Sequence, residues 1–152
     1  MSVRTRNILA FIANLTVFVA TCICVAHFFI TGGQGNMADA GWKAFRYFTI
    51  DSNVLAALGC LVGLSFNMAS IITGEDCLPH WALLLRYAGT VAVTVTLAVT
   101  VGFLSLTYGF GPLFAGVSLF LHGVNPVLCI VTFMFLDKGL VRFREKIGRA
   151  HV

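Results

Sequence analysis

Charge is what this sequence has least of. Charged residues make up 11% of the 152-residue chain, against about 25% in an ordinary soluble domain. With 59% of residues hydrophobic, no polar coat is available to solvate a folded surface, which excludes a water-soluble globule. A basic face on a folded domain is also lacking, which excludes a nucleic-acid reader. The five cysteines include no C-x-x-C pair, so neither a disulfide framework nor a thiolate metal site is indicated. Cys77 and His80 have ligand-like spacing, but two ligands do not make a zinc site. A Gly-rich phosphate loop, HExxH and GxSxG are all missing, and with them the chemistries those motifs mark.

What is present is a succession of apolar runs long enough to cross a bilayer, which takes about 20 residues. They cover about residues 8–30, 45–68, 81–106 and 113–136. The first is longer than the apolar core of a signal peptide and has no A-x-A cleavage site. The breaks are the turn T-G-G-Q-G-N, the loop I-T-G-E-D-C-L-P-H and the segment Y-G-F-G-P. The expected fold is therefore an all-α, polytopic membrane helix bundle with four transmembrane helices, occupying residues 1–146.

The basic residues suggest an orientation. Arg4 and Arg6 lie in the N-terminal tail, and Lys138, Arg142, Arg144, Lys146 and Arg149 in the C-terminal one. Lys43 and Arg46 fall at the opposite face, and Arg86, near the inner end of the third run, is expected to snorkel to headgroups. Seven of the ten thus flank the bundle on one side, so both tails are expected in the cytoplasm of a multi-pass cell-membrane protein. Residues 147–152, I-G-R-A-H-V, match what a common sequencing adapter encodes. The expectation is a non-native tail on a chain whose natural sequence continues past Lys146.

A charge at the centre of a span costs about 2.5–3.5 kcal/mol on insertion scales, and polar side chains there also need a reason. Two groups qualify. In R-Y-F-T-I-D-S-N, Thr49, Ser52, Asn53 and Ala56 share one helix face, while Asp51 points nearly the other way and is free to cap or pair with a neighbouring helix. In the fourth run, Ser118, His122, Asn125 and Cys129 form a stripe. Pro126 has no N–H, so the His122 carbonyl four residues back is expected to lose its partner and the helix to kink. Thr90, Thr94, Thr96 and Thr100 are expected to bond carbonyls of their own helix.

Small polar faces also glue membrane helices together, and spacing alone leaves that reading open. The depths of Thr49 and His122 nevertheless allow a hydroxyl and an imidazole to meet, the arrangement acyl transfer needs. Asn53 or Asn125 could then orient the pair or stabilise an oxyanion. A small transporter or lipid-binding subunit, with the same stripes lining a path, is the alternative.

The segment Y-F-T-I-x-S-N, with L-H-x-x-x-P in the fourth run followed by an aspartate and basic residues, resembles the androgen-induced-gene family of small membrane proteins, most closely its bacterial branch. The resemblance spans about residues 46–146. It implies about six membrane helices, two of them beyond the present sequence. It also implies hydrolysis of fatty acid esters of hydroxy fatty acids by a threonine nucleophile and a histidine, without metal or soluble cofactor. By motif, these are Thr49 and His122. The implied partners are membrane lipids and a fatty acid ester substrate.

Overall fold

The computed structural model describes residues 2–31 and 41–137. Residues 147–152, expected to be a non-native tail, lie outside the described part, as do the basic residues from Lys138 onward. Four long apolar helices dominate: α1 (Val3–Thr31), α2 (Phe48–Thr73), α3 (His80–Tyr108) and α4 (Gly116–Phe135). Their lengths of 29, 26, 29 and 20 residues correspond to about 30–44 Å at 1.5 Å per residue, enough for a hydrocarbon core of about 30 Å. There is no strand among the described residues. The chain is a polytopic, all-α membrane bundle.

Helix ends differ from the apolar runs for identifiable reasons. α1 begins at Val3 rather than near residue 8, because the Ser2 hydroxyl accepts the Thr5 N–H at 3.1 Å and caps the helix ahead of the apolar stretch. α2 begins at Phe48 after a 3₁₀ turn, Gly41–Arg46, that takes up the aromatic lead-in. It continues to Thr73, beyond the apolar run, and ends where Gly74 (φ 75°) takes the left-handed conformation and its N–H bonds the Ser70 carbonyl at 3.0 Å. The fourth run divides. A single turn, Phe110–Leu113, stands apart from α4 because Gly109 (φ 78°) and Gly116 (φ 55°) reverse the chain on either side of it.

Burial is inverted relative to a soluble bundle. The interior face of α1 carries Arg6, Asn7, Asn14 and Thr21 among Ala10 and Val17. Ile8, Leu9, Ile12, Leu15, Val19 and Ile23 face outward. Lipid solvates apolar side chains as well as other apolar side chains do, so helices associate through small residues and polar contacts. α2 and α3 show this directly: a Cβ on Gly89 would lie 2.8 Å from the Ala56 Cα, and one on Gly59 would lie 3.3 Å from the Arg86 Cα. α2 packs between α1 and α3, while α4 lies against α3 and reaches α1.

Arg86 does not reach for headgroups as its position suggested. It is 4% exposed. Its Nε donates to Asp137 Oδ2 at 2.5 Å, and its Nη1 donates to Asn14 Oδ1 at 2.5 Å and to Cys60 Sγ at 3.4 Å. Asp137 lies two residues past the last residue of α4, so this ion pair ties that end of α4 to α3 at the end of the bundle where α1 begins. Arg6 and Asp76 make a second pair there, at 2.9 Å.

Candidate active site

At the opposite end of the bundle, α2 starts with Thr49 in its first turn. The Thr49 Oγ1 lies 3.2 Å from His122 Nε2, across 73 residues of sequence. The imidazole is buried and the hydroxyl half-buried. On its other side, His122 Nδ1 is 3.2 Å from the Leu113 carbonyl. A carbonyl only accepts, so Nδ1 carries the hydrogen and Nε2 presents its lone pair to the threonine hydroxyl. That is the tautomer a general base requires, and a backbone carbonyl fills the orienting role that a carboxylate has in a Ser-His-Asp triad. The separate turn at Phe110–Leu113 is what brings this carbonyl back against α4.

Local winding places the ring. Residues Phe120–Val124 form a π-helical turn, in which the Asn125 N–H bonds the Phe120 carbonyl five residues back. Such turns recur at functional sites. The expected backbone defect is present, but shifted by one residue. The carbonyl that receives a substitute side-chain donor is that of Leu121, which accepts from Asn53 Nδ2 at 3.1 Å, rather than that of His122. The shift follows from counting five residues per hydrogen-bonded turn instead of four.

Around the pair runs a continuous polar network. Asn53 Nδ2 also donates to the Thr49 carbonyl at 2.7 Å, and Asn53 Oδ1 accepts from Asn125 Nδ2 at 2.5 Å. Cys129 Sγ lies 3.7 Å from Asn125 Oδ1. Ser52 Oγ donates to the Thr49 carbonyl at 3.1 Å and meets Thr96 Oγ1 at 2.8 Å. Both amide hydrogens of Asn53 are thereby committed to backbone carbonyls, so Asn53 has none left for an oxyanion.

The structure thus gathers Thr49, Ser52, Asn53, His122, Asn125 and Pro126 into one buried region. Ser118 is half-buried one turn before His122. Asp51 is not brought in. It is exposed on the far side of α2, two residues and about 200° from Thr49. Thr90, Thr94 and Thr96 bond the carbonyls four residues back as expected, but Thr96 also reaches Ser52, a contact that spacing within one helix does not reveal. The Leu113 carbonyl carried no side-chain signal at all. No family model, curated protein or solved structure matches the chain.

Proposed function

We propose that this chain is a membrane-embedded hydrolase of lipid esters, with Thr49 as nucleophile and His122 as general base, related to the androgen-induced-gene family that its motifs resemble. The observation that carries the reading is the 3.2 Å approach of Thr49 Oγ1 to a His122 Nε2 whose partner nitrogen is held by the Leu113 carbonyl. Nε2 takes the hydroxyl proton as Oγ1 bonds the ester carbonyl carbon. The proton then passes to the departing alkoxide, leaving an acyl-threonine and a free alcohol. Water, deprotonated by the same nitrogen, releases the acid. With both tails in the cytoplasm, the pair sits in the outer leaflet of the cell membrane, within reach of a lipid substrate arriving laterally.

The test is labelling by a serine/threonine-directed phosphonate probe in membranes. Wild type labels, while Thr49→Ala and His122→Ala do not. Labelling that persists in Thr49→Ala removes the assignment. One observation favours the second reading, a lipid-binding or transport protein without chemistry: an open apolar groove of about 400 Å³ between α1 and α2, lined by Phe18, Val25, Phe29, Val54 and Leu58. That reading predicts retention of a photoreactive lipid by a protein that the phosphonate never labels.

A further inference from the structure

Pro126 creates a local problem in α4. The Leu121 carbonyl would accept from the N–H four or five residues on. The fourth, that of Asn125, is bonded to Phe120, and the fifth belongs to a proline and does not exist. Leu121 is 2% exposed, so water cannot serve the carbonyl, and a buried acceptor left without a donor bears its full desolvation cost. Asn53 Nδ2 reaches it from α2 at 3.1 Å. Its other amide hydrogen goes to the Thr49 carbonyl at 2.7 Å. The orientation of this amide is fixed, because its oxygen is held by Asn125 Nδ2 and a flip would set oxygen against two carbonyls.

One fully buried amide therefore joins the backbone of the threonine to the backbone of the residue immediately before the histidine. We infer that Asn53 is a positioning residue: it replaces the backbone donor that Pro126 removes, and by doing so sets the separation of Thr49 Oγ1 and His122 Nε2. The inference rests on the catalytic reading of that pair for its consequence, but not for its geometry.

The experiment is a double-mutant cycle on the full chain in membranes, read by the phosphonate labelling rate and by the ¹⁵N signal of the His122 ring. Asn53→Asp keeps the shape and the oxygen facing Asn125 but cannot serve both carbonyls, since it has one O–H donor when burial keeps it protonated and none when ionised. Labelling is expected to fall about ten-fold or more. Pro126→Ala gives the Leu121 carbonyl a backbone donor again, from Asn125 if the turn rewinds to α and from position 126 if it stays π. In that background the loss caused by Asn53→Asp is expected to shrink at least about three-fold. The Nε2 signal should move toward that of a nitrogen without a hydrogen bond in Asn53→Asp and return with Pro126→Ala. Equal losses in both backgrounds, or an unmoved Nε2 signal, overturn the inference. A wild type that never labels overturns the catalytic reading instead, and the ring signal still decides the clamp.

Discussion

The Arg86–Asp137 pair offers the sharpest test of how this bundle is held together. Both side chains are 3% exposed, with Nε and Oδ2 2.5 Å apart. Asp137→Ala leaves a guanidinium about 9 Å along α3 from His80, with Asn14 and Cys60 as its remaining partners. Breaking a buried pair from one side costs about 3–5 kcal/mol, because the surviving charge stays desolvated. At about 2–4 °C per kcal/mol for a chain of this size, the midpoint of unfolding in detergent should drop by roughly 6–20 °C. The protein carries its own reporter: Cys60 and Cys129 are buried at 3% and 4%, so a thiol-reactive fluorophore reads their release on heating, over an early signal from exposed Cys22. Combining Arg86→Met with Asp137→Leu removes both charges and should recover much of the loss, though Asn14 then lacks its guanidinium partner. Asp76→Ala should cost less than Asp137→Ala, since the Asp76 carboxylate is 23% exposed. An unchanged midpoint in Asp137→Ala, or a double variant as unstable as the sum of its singles, would refute the reasoning.

Two further outcomes follow from single features. Gly89→Ala forces a Cβ to within 2.8 Å of the Ala56 backbone, so α2 and α3 must separate, at about 1–3 kcal/mol in the same thermal assay. Gly102→Ala meets nothing within 4 Å and serves as its neutral control. Phosphonate labelling should decline on acidification, because a protonated imidazole bears hydrogen on both nitrogens and cannot accept from Thr49. A rate that rises toward acid would count against His122 as the base.

Legibility in the sequence followed chemistry. Spans of roughly 20 apolar residues were visible because lipid imposes length and hydropathy together, and all four are present. Their ends were off by two to five residues where hydroxyls and glycines, rather than apolarity, decide helix termini, as at Ser2, Gly74 and Gly116. Thr49, Ser52, Asn53, His122 and Asn125 could be picked out because polar groups at membrane depth are rare. What could not be picked out was contributed by backbone or by distant pairing. The Leu113 carbonyl has no residue signature, the one-residue shift from His122 to Leu121 depends on a π turn, and the partner of Arg86 lies 51 residues away.

The two polar regions answer the same physical question at opposite ends of the bundle. Water drives soluble helices together by burying apolar area, but in lipid that drive is absent, so close approach and hydrogen bonding must set which face meets which. Gly59, Gly63 and Gly89 set the approach of α2 and α3, yet small residues permit contact without fixing how a helix is turned. Rotation of α4 is fixed by directional bonds. Asn125 meets Asn53 near one end and Asp137 meets Arg86 at the other, with Cys129 packed between them against Cys60 and Val93. A rotation of α4 by one residue, about 100°, would break both bonds at once and carry the His122 ring away from Thr49. Helix association and the geometry of the candidate site are therefore coupled: variants at Arg86 or Asp137 should lower labelling to the extent that they lower folding, whereas Asn53→Asp, which keeps the oxygen that Asn125 holds, should lower labelling in protein that is still folded.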